Sequence, residues 1–252
     1  IRAAKHFAEE ILKRVDRLIT VSENSRKDAI QILDLKPESV RCIYPGVPRA
    51  YFTAGPSEIE QMRAQLQINR PYVLYVGTIE PRKNLERLLD SWATLPRDIH
   101  DEYELILAGP AGWSSDATQS RLSNGGVHSC HSNIRYLGYV PESLLPGLTA
   151  GATVLAYPSL YEGFGFPAAQ ALATGVPVLT SNISSLPEIA GDGALYVDPL
   201  SVGDIAAGLF QLLTEPERRK RLSLAARVQA ARYTWERCAN HSSDFFESVA
   251  CS

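Results

Sequence analysis

Residues 157–173 contain the side chains best suited to chemistry in this sequence. Gly163 and Gly165 have no Cβ atom, so another molecule can approach the backbone closely at this point. The helix predicted to begin here presents unpaired N–H groups at its first turn, and such groups hold a phosphate. Glu162 lies beside this anion site. A carboxylate is unexpected there unless it contacts something other than phosphate, such as the hydroxyl groups of a sugar.

Two neighbouring cations form a second candidate anion site. Arg82 and Lys83 follow a strand predicted at 72–76 and are expected to begin the next helix. Two cations at the carboxyl end of a strand can neutralise a diphosphate without a metal ion. Cations at a helix start oppose the helix dipole, so their presence favours a ligand-binding role over a solvated surface.

Other phosphate-binding motifs do not fit. A nucleotide-binding P-loop is excluded because no second glycine lies between Gly77 and Lys83. The glycines at 163 and 165, with Ala168, formally match the dinucleotide fingerprint. The next predicted strand nevertheless ends near Thr180 without the acid that would bind a ribose. Nicotinamide binding is therefore disfavoured.

Metal ligands are also scarce in the sequence. No Asp-x-Asp motif occurs, so no metal site of that kind is expected for a nucleotide sugar. His128 and His131 lie in a polar loop without a second ligand pair, which favours an exposed loop over a metal centre. The four cysteines, at 42, 130, 238 and 251, form no C-x-x-C motif. A reduced, cytoplasmic chain is the simplest interpretation.

Composition limits the function classes. A chain of 252 residues with 45% apolar side chains can fill a large core. Its net charge of -3 argues against a nucleic-acid partner. No apolar run reaches the roughly 18–20 residues that span a bilayer, and no signal peptide opens the chain. Residues 1–49 carry ten basic and seven acidic side chains, a bias that fits a solvated face or peripheral contact with the inner face of a membrane.

Short β-branched runs alternate with helical segments from residue 72 onward. Strands are predicted at 72–76, 104–108, 134–137, 153–157, 176–179 and 195–197. This alternation is typical of the α/β class, with a doubly wound, Rossmann-like parallel sheet. In such a sheet ligands bind at the carboxyl ends of the strands. Arg82, Lys83 and Glu162 all follow predicted strands, so the sheet is expected to bring them to the same edge.

A β-α-β piece precedes this domain. Strands are predicted at 18–21 and 40–43, with a helix at 23–33 capped by Ser22. Because this piece is too small to bury both faces of a sheet, residues 1–45 are interpreted as the remnant of another domain. The remaining divisions are a linker at 46–70, the main domain at 71–233 and a final helix at 234–252. Ser185 and Glu188 have the spacing of a capping box, as do Ser201 and Asp204, and are expected to be structural.

Five segments of the chain match a known family in order. They are residues 77–85, Ala108-Gly109-Pro110, Leu137-Gly138-Tyr139-Val140, residues 162–170, and residues 181–188. Together they resemble the carboxyl-terminal half of a retaining family 4 glycosyltransferase, which has the GT-B fold. The resemblance extends through nearly all of the chain. It implies that residues 1–45 are the last β-α-β unit of a missing amino-terminal, acceptor-binding domain, to which the helix from Thr234 crosses back.

The resemblance implies a site for a nucleoside diphosphate sugar. Arg82 and Lys83 would hold the diphosphate, and Glu162, the first acid of the family's E-x7-E motif, would lie near the transferred sugar. These three residues are the predicted catalytic set. The implied donor-binding residues are Gly77, Thr78, Gly109, Tyr139, Val140, Gly163, Phe164, Gly165 and Gln170. The base would lie against the backbone of the loop from Gly138 to Val140.

Two positions depart from the family pattern. The second acid of E-x7-E, which contacts ribose hydroxyls, is Gln170 here. A glutamine can accept and donate hydrogen bonds, but it loses a charge-assisted contribution of about 1 kcal/mol. Thr78 stands where many members place an arginine toward the phosphates. Arg82 and Lys83 are therefore expected to carry more of the diphosphate binding.

The resemblance implies transfer of a hexose to an acceptor hydroxyl in glycan or polysaccharide biosynthesis. The donor would be a nucleoside diphosphate sugar, with GDP-mannose favoured because residues 77–84 look like the mannosyltransferase branch. The acceptor would be a carbohydrate or lipid-linked molecule, and no resident cofactor or metal is expected. Two alternatives stay open: a non-catalytic subunit that binds a nucleotide sugar, and a nucleotide-sugar epimerase or hydrolase on the same fold.

Overall fold

The computed structural model of the chain describes residues 10–12, 14–113, 118 and 133–250. It begins with a small β-α-β unit formed by β1 (Leu18–Thr20), α1 (Glu23–Leu33) and β2 (Val40–Cys42). The two strands pair in parallel. Ser22 caps α1 as predicted, because its hydroxyl accepts the backbone N–H of Ser25.

A second, six-stranded sheet forms the centre of the molecule. Its strands are β3 (Tyr72–Val76), β4 (Glu104–Ala108), β5 (Ile134–Gly138), β6 (Val154–Tyr157), β7 (Val178–Ser181) and β8 (Ala194–Val197). All neighbours pair in parallel, in the spatial order β5-β4-β3-β6-β7-β8. The predicted doubly wound parallel sheet is therefore confirmed.

Helices cover both faces of this sheet. They are α2 (Arg49–Thr53), α3 (Pro56–Leu66), α4 (Leu85–Ala93), α5 (Arg97–Glu102), α6 (Leu145–Ala150), α7 (Phe166–Thr174), α8 (Leu186–Ala190), α9 (Val202–Thr214), α10 (Pro216–Ala230) and α11 (Trp235–Ala250). Alternate side chains of β3 point to opposite faces. Tyr72 and Leu74 pack with α3, α6 and α7, whereas Val73 and Tyr75 pack with α4, α5 and α9. The strands are therefore apolar on both sides, as parallel sheets require.

The strand order reverses between β3 and β6. The chain runs from β3 outward to β5, then returns to β6 and continues outward to β8. The loops that follow β3 and β6 consequently diverge to opposite sides and leave a crevice at the carboxyl edge, which is where ligands bind in such sheets. Arg82 and Lys83 lie in the first of these loops, and Glu162 lies in the second.

One strand is displaced from its predicted position. The sequence pattern placed β7 at 176–179, whereas the strand runs Val178–Ser181. The N–H of Val176 donates to the carbonyl of Ala171 in the turn that ends α7 at Gly175, so it cannot donate to a neighbouring strand. Pro177 has no N–H to donate. The two-residue shift brings Thr180 and Ser181 into the strand, where Thr180 lies opposite Tyr157 of β6.

The division of the chain into domains stays a prediction. Residues 18–42 do form their own sheet, separate from the six-stranded one. Within the described residues, no helix has both the length and the apolar character required to cross a membrane.

Candidate functional site

The loop after β3 presents Arg82 and Lys83 from a 3-10 turn, Pro81–Lys83. The prediction that these cations begin the next helix was wrong. Asn84, which follows them, has a left-handed backbone with φ of 59° and separates the turn from α4. The argument from the helix dipole therefore does not apply to them, and their positions must be explained by the groups they contact.

Asn84 anchors this turn to the neighbouring loops. Its side-chain amide is buried and donates to the carbonyl of Pro158 at 2.9 Å and to that of Pro199 at 2.7 Å. The backbone carbonyl of Arg82 also accepts the N–H of Leu160 at 2.8 Å. These bonds join the loops on the two sides of the crevice and set the distance between the cations and Glu162.

Glu162 is the centre of a hydrogen-bonded cluster. Its side chain is buried, and Oε1 accepts hydrogen bonds from Lys83 Nζ and from the hydroxyl of Tyr157, each at 2.7 Å. Oε2 accepts from Arg82 Nη1 at 2.8 Å. Burial raises the pKa of this carboxyl, but the Lys83 ammonium, the Tyr157 hydroxyl and the Arg82 guanidinium together lower it below its ordinary value. Glu162 is therefore held as a carboxylate.

The predicted sugar-facing and diphosphate-facing groups lie in one cluster. Glu162, which is expected to face a sugar, pairs directly with both Arg82 and Lys83, which are expected to face a diphosphate. Arg82 also pairs with Glu80 at 2.5 Å, so two cations and two carboxylates balance within the cluster. A bound diphosphate must therefore share Arg82 and Lys83 with the carboxylates already present.

The cations retain donors for a ligand. A lysine ammonium has three N–H groups, and Lys83 uses two of them, for Glu162 and Tyr157. Arg82 has five, and its bonds within the described part of the chain go to Glu80, Tyr161 and Glu162. The Arg82 side chain is 38% exposed, so its guanidinium can reach a molecule in the crevice.

Tyr157 is a site residue that the sequence analysis did not identify. It ends β6 and is fully buried. Its hydroxyl accepts from Lys83 and donates to Glu162, so one oxygen positions both partners. Burial beside a carboxylate raises the pKa of the phenol well above its ordinary value, so it stays protonated and can donate. Its place in an apolar strand concealed this role, because a buried tyrosine at a strand end is commonly a packing residue.

Side chains hold the backbone of the loop after β6. Between residues 157 and 164, seven carbonyl oxygens accept a hydrogen bond from a side chain. The donors are Thr180 to Tyr157, Asn84 to Pro158, Ser181 to Ser159, Arg82 to Tyr161, Ser184 and Ser185 to Glu162, Ser22 and Ser25 to Gly163, and Ser185 to Phe164. Strand or helix pairing does not satisfy all the carbonyls of a loop, so hydroxyl, amide and guanidinium groups of side chains donate to them instead.

The predicted capping box at Ser185 and Glu188 was wrong. The Ser185 hydroxyl donates to the carbonyls of Glu162, at 2.9 Å, and Phe164, at 3.1 Å, instead of capping α8. The Glu188 carboxylate accepts the backbone N–H groups of Glu23, at 2.7 Å, and Asn24, at 3.1 Å. It therefore caps the distant helix α1. The predicted cap of α9 is present in part, because Ser201 accepts the N–H of Asp204.

The β1-α1-β2 unit contacts the site loop directly. The hydroxyls of Ser22 and Ser25 donate to the carbonyl of Gly163 at 2.6 and 3.0 Å. The hydroxyl of Tyr161 donates to Asp28 at 2.5 Å. These contacts were not predicted, because they join residues more than 130 positions apart. The amino-terminal unit thus borders the crevice.

The glycine-containing loops after β3, β4 and β5 lie side by side. The N–H of Gly77 bonds to Ala108, and that of Gly109 bonds to Gly138. A Cβ atom on Gly109 would lie 2.1 Å from the carbonyl oxygen of Gly77, so only glycine fits there. Gly77 also lies beside the Lys83 side chain. The structure therefore brings Gly77, Gly109 and Lys83 together at this edge.

The remaining predicted donor-binding residues differ in exposure. Tyr139 is 71% exposed, whereas the side chains of Val140 and Phe164 are buried in the core, so only their backbone can face a ligand. Gln170 is half-buried on α7. Gly165 precedes α7 with φ of 94°, next to Glu162. The backbone carbonyl of Thr78 accepts a hydrogen bond from the side-chain hydroxyl of Tyr75 at 3.4 Å. Their roles in donor binding stay predictions.

Metal ligands do not cluster within the part of the chain that the structure describes. No group of three or more His, Cys, Asp or Glu side chains is arranged there to hold a metal ion. The polar segment 128–131, for which a loop was favoured over a metal centre, lies outside the described residues.

Comparison with known proteins identifies the family of this chain. Residues 58–229 match the family of glycosyl transferases group 1. An O-antigen chain mannosyltransferase B from Escherichia coli is 35% identical over 243 residues, which cover 96% of this chain and 63% of the relative. A serotype-specific mannosyltransferase, WbdA, from the same organism is 27% identical over 90% of this chain and 28% of its own length. The chain thus spans less than two thirds of these relatives.

Solved structures share the fold. A sucrose-phosphate synthase from Thermosynechococcus elongatus superposes with a TM-score of 0.82 at 25% identity, covering 97% of this chain and 61% of that one. The Anabaena protein HepE, in complex with UDP and glucose, superposes with a TM-score of 0.85 at 20% identity, over 96% of this chain and 66% of that one. The predicted fold class is confirmed by these neighbours.

Proposed function

Because the chain belongs to the family of group 1 glycosyl transferases, we propose that it is the donor-binding half of a hexosyltransferase. It binds a nucleoside diphosphate sugar in the crevice between the loops after β3 and β6. The observation that carries this proposal is the convergence of Arg82, Lys83 and Glu162 at the point where the strand order reverses. The group combines cations suited to a diphosphate with a carboxylate suited to sugar hydroxyls.

The proposed reaction breaks the bond between the sugar's anomeric carbon and the diphosphate oxygen. The diphosphate leaves with the bonding electron pair, and the acceptor hydroxyl forms the new glycosidic bond and passes its proton to the departing diphosphate oxygen. Arg82 and Lys83 stabilise the charge that develops on the leaving group, and the N–H groups at the start of α7 add to this effect. Glu162 orients the sugar through its hydroxyls. The reaction proceeds with retention, as in family 4, and needs neither metal nor cofactor.

We further propose that the sugar is mannose and that its carrier is GDP. The sequence resemblance of residues 77–84 to the mannosyltransferase branch supports this choice. So does the naming of the two Escherichia coli relatives as mannosyltransferases. Transfer would then serve polysaccharide biosynthesis.

The acceptor is proposed to be a carbohydrate or a lipid-linked glycan. Its binding is assigned to a separate amino-terminal domain of which residues 1–45 form part. The contacts of Ser22, Ser25 and Asp28 with the site loop support a place for that unit at the edge of the donor crevice. We place the reaction in the cytoplasm, at the inner face of a membrane when the acceptor is lipid-linked.

A thermal-shift panel tests the donor. The chain is heated with GDP-mannose, UDP-glucose, UDP-GlcNAc and ADP-glucose at equal concentration, and a ligand that binds the folded state raises the melting temperature. The proposal predicts the largest increase with GDP-mannose. A larger increase in melting temperature with a different sugar nucleotide would identify that compound as the donor instead of GDP-mannose. No increase with any of the four would contradict the proposed binding site.

A non-catalytic subunit that binds a nucleotide sugar is the second candidate function. This candidate is favoured by Gln170, which stands in place of the family's second acid. Glutamine forms weaker hydrogen bonds to the ribose hydroxyls than a carboxylate does. Release of GDP from GDP-mannose separates the two, since a transferase releases GDP when an acceptor is added. Release without acceptor would indicate a hydrolase. Binding without release under both conditions would support the non-catalytic subunit.

A further inference from the structure

Ser184 has a backbone conformation that is unusual for a serine. Its φ is 60°, in the left-handed region where a side chain with a Cβ atom is strained. Asp34 and Gln67 share this conformation, but each directly follows a helix, where a left-handed residue commonly ends the helix. Ser184 instead lies in the loop between β7 and α8. Its conformation therefore requires another explanation.

The hydroxyl of Ser184 binds both backbone groups of one residue. It accepts the N–H of Glu162 at 3.0 Å and donates to the carbonyl of Glu162 at 2.7 Å. The adjacent Ser185 adds a bond to the same carbonyl at 2.9 Å. Glu162 lies in a loop that has no strand partner for these groups, so the two serines replace the sheet as the support of its backbone.

The backbone of Glu162 decides where its carboxylate can reach. Lys83, Arg82 and Tyr157 hold the carboxylate end, and Ser184 holds the opposite end of the same residue. With both ends restrained, the side chain has little freedom to move toward or away from a ligand. A small misplacement of a site residue causes a large loss of function. Strained residues that prevent such a misplacement are therefore found at functional sites more often than elsewhere in a protein.

We propose that Ser184 is a positioning residue, held in the left-handed conformation so that its hydroxyl aims Glu162 at the sugar of the donor. This inference rests on the proposed function, in which Glu162 contacts that sugar. Ser184 itself touches no reacting atom and acts through Glu162.

Two substitutions separate strain from positioning. Ser184→Ala removes the hydroxyl and keeps the strained backbone, whereas Ser184→Gly removes the hydroxyl and relieves the strain. Calorimetry is carried out with the sugar nucleotide chosen by the thermal-shift panel, GDP-mannose on our proposal, and with GDP. Both variants should weaken GDP-mannose about tenfold and leave the dissociation constant of GDP within about twofold. A general structural defect would weaken the binding of both GDP-mannose and GDP. If Ser184→Ala fails to fold because of its strained backbone, Ser184→Gly, which relieves the strain, still tests the loss of the hydroxyl.

Gln67→Gly is the matched control. Gln67 has φ of 53° and is exposed at the end of α3, where its carbonyl accepts from Arg135 at the start of β5. The substitution relieves similar backbone strain at the opposite edge of the sheet. Binding of both ligands should match that of the unmodified chain.

A double-mutant cycle tests whether Ser184 acts through Glu162. In a Glu162→Ala background the tenfold effect of Ser184→Ala should disappear, because no carboxylate remains to be positioned. An undiminished effect of Ser184→Ala in that background would overturn this inference and leave the proposed function standing. The same holds if Glu162→Ala weakens GDP-mannose binding but neither Ser184 variant does. If Glu162→Ala leaves GDP-mannose binding unchanged, the sugar contact of the proposed function fails, and the positioning role fails with it.

Discussion

The ammonium group of Lys83 lies 2.7 Å from the carboxylate of Glu162, although 79 positions separate the two residues in the sequence. The reversal of strand order between β3 and β6 produces this proximity, because it opens a crevice that both following loops border. The cluster is nearly balanced in charge, with Arg82 and Glu80 as its second pair. Binding of a diphosphate would add negative charge to a site that already holds two carboxylates.

The pH dependence of stability should report the state of Glu162. Its pKa is lowered in the folded chain, so its contribution to stability is complete above its unfolded pKa of about 4.3 and is lost as the pH falls through the folded pKa. Glu162→Gln should cost about 1–2 kcal/mol at pH 7, because the single amide oxygen can accept from only one of the two cations and the NH2 group cannot accept from the other. Melting curves recorded down to about pH 3 should show the two chains converging.

Glu217→Gln is the control for this comparison. Glu217 is an exposed residue on α10 that pairs with Lys220, and exposed pairs contribute little. Its melting temperature should follow that of the unmodified chain at every pH. A constant difference between Glu162→Gln and the unmodified chain across the acid range would show that the carboxylate of Glu162 is not preferentially stabilised by folding.

Tyr157→Phe should weaken nucleotide binding while preserving the fold. The change removes the hydroxyl that bridges Lys83 and Glu162, at a cost of about 1 kcal/mol in stability. We expect about a fivefold weaker GDP complex, since Lys83 loses one of the groups that orient it. Tyr72→Phe is the matched control, because Tyr72 is equally buried and donates to Leu148 away from the site. It should lose similar stability and no affinity. Equal affinities for the two variants would remove Tyr157 from the site.

The hydroxyl groups show where sequence reasoning reached its limit. Arg82, Lys83 and Glu162 could be identified because their types and local spacing indicate anion and sugar chemistry. Tyr157 and Ser184 could not, because their partners are set by the approach of separate loops and, for Ser184, by a backbone angle that no neighbouring residue signals. The serines at 181, 184 and 185, at the end of a buried strand and just after it, were the available clue.

The sheet was more predictable than the turns. The strands could be located from short apolar runs, because parallel strands are buried on both faces. Their spatial order could not be read from the sequence, and the strand at 178–181 was displaced by the turn that ends α7. The 3-10 turn at Pro81–Lys83 was likewise mistaken for a helix start. Asn84 adopts a left-handed conformation that separates this turn from α4, and its sequence neighbours do not indicate that conformation.

Gln170→Glu should strengthen nucleotide binding if this position faces ribose. A carboxylate accepts from ribose hydroxyls in charge-assisted bonds, so GDP should bind with an advantage of about 1 kcal/mol, or about fivefold. Calorimetry with GDP and 2′-deoxy-GDP locates the effect, which should shrink with the deoxy ligand. Gln65→Glu, on α3, adds the same charge to an exposed position and should change neither affinity. An unchanged dissociation constant for GDP in Gln170→Glu would contradict the placement.

Donor binding should be insensitive to chelation. In the proposed site, side chains and the start of α7 supply all the positive potential that the diphosphate meets. The dissociation constant of GDP-mannose should therefore be the same in EDTA and in Mg²⁺, within about twofold. Complete loss of binding in EDTA would show that a metal ion is required.

The most direct test of the diphosphate site is calorimetry on Lys83→Met with GDP and with guanosine. Methionine keeps much of the side-chain length and removes the ammonium group. Loss of charged hydrogen bonds worth about 1.5–3 kcal/mol should weaken GDP by about 10–100-fold and leave guanosine within about twofold. Lys220→Met, on the exposed face of α10, should leave both ligands unchanged. Equal weakening of GDP and guanosine by Lys83→Met, or no weakening of GDP, would contradict the assignment of this site to a nucleoside diphosphate sugar.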